Sequence, residues 1–265
     1  MWSTNCVTVV LITSRLSGET GSMKMLGLIV RSKPSGFCPR GSIRAHRSGL
    51  LNTRGSLICG SIGRKLALVN LFLASYLHPD LGTYLTGRIL YIDDAAVEMR
   101  QAPFTQEEFK TVGGAAEVLV PVTVSQMALA DFRQELELAD CVYVASGETF
   151  RLLHSLKSTG ADQLLVDAVR AGKLYAGSSA GAMVAGPSIE PATVMDNPSI
   201  APDLKDYTGL HLTEFVVVPH AQGTNGPYSI NIISKTVEDY GQEWNLLLLR
   251  DGQALYVDAR GSMLI

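Results

Sequence analysis

Gly177-Ser178-Ser179-Ala180-Gly181 is the stretch of this sequence whose residue types most plainly allow chemistry. It fits G-x-S-x-G, in which a serine is held at the apex of a sharp strand-to-helix turn. Small flanking residues have a physical reason there, because a tight turn with a strained apex leaves no room for side chains beside it. The helix that follows aims backbone N–H groups at any oxyanion developing on an attacked carbonyl. Ser178 is a rival nucleophile, but the pattern puts Ser179 at the apex. A serine hydroxyl is weak by itself. It needs a base within hydrogen-bond reach and an acid that orients the base.

The chain has five histidines. His46 and His78 lie upstream of the first core strand or close to it. His154 falls in a helical stretch, and His211 begins a strand. His220 follows the apolar run 215–218 and Pro219, where a parallel sheet would present its catalytic loops, and is the expected base. The acids between Ser179 and His220 are Glu190, Asp196, Asp203, Asp206 and Glu214. Asp196, before Asn197-Pro198, is the first choice as orienting acid; its other reading is a cap of that turn.

The elements that must position these residues alternate from residue 64 onward. Apolar runs bounded by polar residues predict strands over 65–71, 88–92, 116–122, 141–145, 174–176 and 215–218. Pro121 assigns the third of these to an edge or a bend. Helical spacing covers 104–112, 150–156, 163–171, 180–185 and 230–240. In the first of these helices Thr105 is the expected N-cap, with Glu107 and Glu108 near the positive end of the dipole. Runs 246–249 and 254–257 flank Asp251-Gly252 and predict a hairpin. Alternating β and α implies an α/β fold, a mostly parallel sheet with helices on both faces.

Residues 1–63 read differently and are set apart as an N-terminal extension preceding a catalytic domain over 64–265. They are rich in Ser, Gly and Arg, and hold eight of the 22 bases but only one of the 25 acids, Glu19. A transit segment, a disordered tail, or an untranslated stretch before a start at Met23 or Met25 would each have this composition. A secretory signal does not fit, since no basic region precedes the apolar 7–12. The remaining 202 residues are acidic, which argues against general nucleic-acid binding. The longest apolar run, 66–74, is broken by Asn70, too short to span a membrane. The four cysteines have no CxxC spacing, so no metal site is expected; Cys141, inside an apolar run, is expected in the core. A reducing, cytoplasmic setting is the expectation.

Several segments together resemble one family, the serine peptidases that include dipeptidase E (aspartyl dipeptidase) and cyanophycinase. Val144-Ala-Ser-Gly-Glu-Thr-Phe-Arg-Leu-Leu153 is similar to that family's Gly-Gly-Asn-Thr-Phe-x-Leu-Leu segment. Leu174-Tyr-Ala-Gly-Ser-Ser-Ala-Gly-Ala182, Asp196 before a proline, and Pro219-His220 follow in the family's order. The similarity spans about three quarters of the chain. It implies a fold like class I glutamine amidotransferases and a triad of Ser179, His220 and Asp196. It also implies an oxyanion hole from the N–H groups of Gly147 and Ala180. The substrate would be a small peptide, met by Glu148 and Thr149, with no cofactor, in a monomer or homodimer.

The sequence departs from the family at Glu148, where Asn is usual; a carboxylate there could hold a substrate's free amino group. Family members that prefer an N-terminal Asp are expected to use an arginine after the catalytic His. Here Lys235 is the only base between His220 and Arg250, so Asp-X specificity is not expected. Two other readings are an α/β-hydrolase esterase, which shares the order Ser, Asp, His, and a non-catalytic peptide-binding homologue.

Overall fold

The computed structural model describes residues 69–225 and 227–265, and the backbone of two strands, β1 (Val7–Ser14) and β2 (Lys24–Ser32). These two strands pair antiparallel in a stretch where the sequence shows no strand periodicity. The rest of the expected 1–63 extension, and positions 65–68 of the first expected strand, lie outside the described residues.

From Asn70 the chain alternates between strand and helix. The first half holds β3 (Asn70–Ala74), α1 (Leu81–Tyr84), β4 (Arg88–Ile92), α2 (Pro103–Ala115), β5 (Val118–Val122), α3 (Leu129–Leu138) and β6 (Cys141–Val144). Then come α4 (Thr149–Thr159), α5 (Ala161–Arg170), β7 (Leu174–Ser178), α6 (Ala180–Val184) and β8 (Val216–Val218). A two-residue pair, β9 (Thr224–Asn225) and β10 (Tyr228–Ser229), precedes α7 (Ile230–Tyr240), β11 (Leu246–Leu248), β12 (Ala254–Asp258) and β13 (Gly261–Leu264).

The larger sheet has the order β13-β12-β3-β7-β6-β4-β5. Its five strands from β3 to β5 are parallel, and β12 and β13 close one edge antiparallel. The expected α/β architecture is therefore present, with Pro121 in the edge strand β5, where its missing N–H breaks no ladder. Side chains alternate across the sheet with period two. Leu71, Leu73, Leu90, Ile92, Val142 and Val144 face one way, into a core with α3, α4, α5 and α6. Phe72, Ile89, Tyr91, Cys141 and Tyr143 face the other, under α1 and α2. Cys141 is a buried free thiol, and burial pushes its pKa up to about 11, as suits an inert core residue.

Two expectations change. The segments around Asp251-Gly252 are not a hairpin: β11 pairs parallel with β8 in a second sheet, while β12 joins the larger one beside β3. The Asp-Gly turn therefore bridges two sheets. In α2 the start moves to Pro103, whose fixed φ and absent N–H suit a first helical position, and Thr105 is a buried first-turn residue. Glu108 does not complement the dipole at the surface. It is fully buried.

The carboxyl ends of β3, β6, β7, β8 and β11 lead into Ser75, Ser146, Ser179, His220 and Asp251 respectively, all in one region of the molecule. No helix among the described residues is long and apolar enough to cross a membrane. Leu73 is wholly buried in β3 beside the nucleophile strand. Leu73→Ala is expected to cost ~2–5 kcal/mol in urea denaturation, the transfer loss plus an unfilled cavity.

Candidate active site

Ser179 directly follows β7 and precedes α6, with φ 47° and ψ −107°. A non-glycine residue rarely holds that conformation, and its surroundings enforce it here. The Ser179 N–H donates to the carbonyl of Ala74 at 3.1 Å, pinning the turn to β3. The flanking glycines are dictated by contact: a Cβ on Gly177 would lie 2.5 Å from the Gly181 carbonyl carbon, and one on Gly181 would lie 2.1 Å from the Val144 carbonyl oxygen. This close packing of β6, β7 and α6 is why the motif tolerates only small residues, and α6 is buried throughout.

His220 follows β8 and also has positive φ, 56°. Its N–H donates to Ser75 Oγ at 2.7 Å, and its ring stacks on Tyr228 with centroids 4.7 Å apart. Nε2 lies 3.2 Å from Ser179 Oγ. On the other side, Nδ1 lies 2.8 Å from Asp251 Oδ1. A carboxylate can only accept, so Nδ1 carries the proton and Nε2 presents its lone pair to the serine. Asp251 also accepts from Ser75 Oγ at 2.7 Å and from Gln222 Nε2 at 2.8 Å, and its own N–H donates to Gln222 Oε1. Burial would raise the Asp251 carboxyl, but hydrogen bonds from His220, Ser75 and Gln222, with the His220 charge, pull it down to about 2.

Asp196 is elsewhere in the cleft. Its Oδ2 accepts from Thr149 Oγ1 at 2.5 Å and its Oδ1 from Tyr228 at 3.2 Å, so the carboxylate hydrogen-bonded to His220 is Asp251, not Asp196. The reason is topological. β11 lies beside β8, and the chain leaving β11 delivers its first acid to the imidazole after β8. Glu190, Asp203, Asp206 and Glu214 do not line the cleft, and Asp206 is an exposed partner of Lys157. Among the other histidines, His46 lies outside the described residues, His78 packs edge-on against Phe72, His154 is in α4, and His211 is in a loop rather than a strand.

The cleft has a volume of about 420 Å³, and Gly147, Glu148, Ser179, Asp196, His220 and Asp251 are among its lining. Gly147 has φ 138°, and a Cβ there would lie 2.3 Å from the Ala95 carbonyl oxygen, so glycine is required. Burial, then the charge of Asp196, raise the Glu148 carboxyl, with Arg151 opposing. Burial also raises Asp196 against the hydrogen bonds from Thr149 and Tyr228. Two carboxyl groups thus crowd one end of the cleft, and no Lys or Arg lines it among the described residues. Sequence reasoning missed Asp251, Ser75, Gln222 and Tyr228. The signal for Asp251 was the first acid after an apolar run, 246–249, that could pair beside 215–218.

A serine, histidine and carboxylate in hydrogen-bonded series at the carboxyl ends of parallel strands define a serine-hydrolase type of site. Peptidase family S51 matches residues 70–265, and the chain belongs to that family of serine peptidases. It is 31% identical over 195 residues to an uncharacterized peptidase of Listeria monocytogenes, covering 71% of this chain and 94% of that one. An uncharacterized peptidase of Pasteurella multocida is 34% identical over 169 residues, covering 63% and 73%. A crystal structure of a candidate peptidase E protein from Listeria monocytogenes superposes with a TM-score of 0.67 at 28% identity, covering 75% of this chain and 98% of that one. Family membership favours the peptidase reading over an α/β-hydrolase esterase.

Two outcomes test this geometry. Gly181→Ala is expected to destabilise the protein by more than ~1 kcal/mol in urea denaturation, because backbone must move to admit the methyl. The folded-state pKa of Asp251 is depressed, so its contribution to stability is present above the ordinary carboxylate range and lost as pH falls toward about 2. In acid unfolding, Asp251→Asn should therefore lose less stability than the wild type between about pH 4 and 2.

Proposed function

We propose that this chain is a serine exopeptidase that cleaves short peptides bearing a free N-terminus, through an acyl-enzyme on Ser179. The observation that carries the reading is the hydrogen-bonded series Ser179 Oγ–His220 Nε2, His220 Nδ1–Asp251 Oδ1. Ser179 Oγ attacks the scissile carbonyl carbon while Nε2 takes its proton. Asp251 holds the imidazole in the tautomer that can accept and stabilises the imidazolium that forms. The oxyanion is met by the N–H groups of Gly147 and Ala180, neither of which donates to a backbone carbonyl among the described residues. His220 then returns the proton to the departing amine, and the C–N bond breaks. Water attacks the acyl carbon as His220 takes its proton, and that proton goes back to Ser179 Oγ as the acid product leaves.

Asp196 and Glu148 take the role of substrate anchors in this reading, with Thr149 orienting Asp196. Two partly desolvated carboxyl groups whose charges repel are best relieved by a cation, and the α-ammonium of a short peptide is one. An acidic first side chain would meet carboxylates with no Lys or Arg among the described residues lining the cleft to balance it, so Asp-X dipeptides are expected to be poor substrates.

Steady-state kinetics on a dipeptide library tests both parts. Asp251→Asn should lower kcat by about 10³–10⁴-fold, the effect of a wrong imidazole tautomer. Asp196→Asn should chiefly raise KM, and N-acetylation of the substrate should abolish cleavage. A kcat collapse in Asp196→Asn together with wild-type turnover in Asp251→Asn would reverse the assignment.

A further inference from the structure

Glu108 is a carboxylate near the cleft that the proposed mechanism leaves without a role, and its burial is costly. It is completely buried on α2, beneath the ends of β6 and β7. A buried carboxyl group is tolerated only when hydrogen bonds replace its lost water. Tyr143 donates to its Oε1 at 2.8 Å, Ser146 Oγ donates to the same oxygen at 2.9 Å, and the Ser146 N–H is shared by both oxygens at 3.2 Å. Ser146 Oγ is also 3.0 Å from Ser178 Oγ. With the single Ser146 proton on the carboxylate, Ser178 is left to donate to Ser146. Burial pushes the Glu108 carboxyl up to about 7 against these donors, which measures how much desolvation the network must offset.

The placement matters more than the cost. Ser146 directly precedes Gly147, and Ser178 directly precedes Ser179 and stands two residues before Ala180. The two N–H groups assigned to the oxyanion hole thus sit on separate strand ends, β6 and β7, and Glu108 grips the first directly and the second through Ser146. On its far side the loop is held by the Glu148 N–H donating to the Ala95 carbonyl at 2.9 Å. Gly147, with positive φ, could otherwise rotate its peptide away from the cleft.

We infer that Glu108 is a positioning residue that clamps the Ser146–Gly147 turn to the nucleophile turn, fixing the spacing and direction of the two oxyanion-hole donors. This rests on Ser179 acting as the nucleophile. Such a clamp touches no substrate atom, so its loss should weaken the tetrahedral state and spare ground-state binding.

Glu108→Gln keeps the shape but turns one acceptor into a donor facing the donors of Ser146. The folded variant, checked by its near-UV circular dichroism and melting temperature, should lose about 10–100-fold in kcat with KM within about twofold, since small misplacements of aligned groups cost rates of that order. Its affinity for a dipeptide boronic acid, which forms a tetrahedral adduct on Ser179, should fall by the same factor. Affinity for the matching reduced-amide dipeptide should not change. Wild-type kcat and boronate affinity in Glu108→Gln would overturn the inference, as would equal losses for boronate and reduced amide, the mark of a purely structural role. Should Glu108→Gln fail to fold, Ser146→Ala cuts the hydroxyl links to Glu108 and Ser178 and keeps the Ser146 N–H on the carboxylate, and the same kcat-only loss is expected; an unchanged kcat overturns the clamp. Boronate binding that is absent in the wild type, or that survives in Ser179→Ala, would remove the serine reading itself and this inference with it.

Discussion

The cleft depends on a hydrogen-bond chain that crosses from one sheet to another. Ser179 follows β7 of the larger sheet, whereas His220 and Asp251 follow the neighbouring strands β8 and β11 of the smaller one. Ser75, at the end of β3, locks the two together by accepting from the His220 N–H and donating to Asp251. The imidazole is therefore fixed on four sides: by the serine, the aspartate, its own backbone bond to Ser75, and the Tyr228 ring. Two non-glycine residues with positive φ, Ser179 and His220, face each other across this junction. Their strain is local, and the packing that enforces it extends into both cores.

Electrostatics divides the site into two zones. Around Asp251, donors converge on a carboxylate and keep it ionised, which suits a group that must orient a base and balance its positive charge. Around Asp196 and Glu148 burial presses the other way, with the Asp196 charge adding to it at Glu148. The carboxyl group that meets the imidazole and the two that do not are thus separated by environment within one small cleft.

Much of this was legible in the sequence, for physical reasons. Ser179 could be found because close backbone contacts force glycine on both flanks, and His220 because a base must stand at a strand's carboxyl end. The parallel sheet followed from short apolar runs such as 88–92 and 141–145, buried on both faces. What failed was long-range pairing. Asp251-Gly252 has the local chemistry of a hairpin turn, and nothing local shows that its flanking strands join different sheets. Asp196 lies between Ser179 and His220 in sequence, whereas the acid that meets the imidazole follows the strand after α7. Glu108 fits the positive end of a helix dipole in the sequence, and helical spacing alone does not reveal what an inward-facing carboxylate will meet.

The central claim is that Ser179 is a nucleophile activated by His220, and reaction with a fluorophosphonate followed by intact mass and peptide mapping tests it most directly. One adduct on Ser179 is expected in the wild type, with labelling slowed by orders of magnitude in His220→Ala and absent in Ser179→Ala. Labelling at another residue such as Ser178, or a folded wild type that takes up no label, would contradict it.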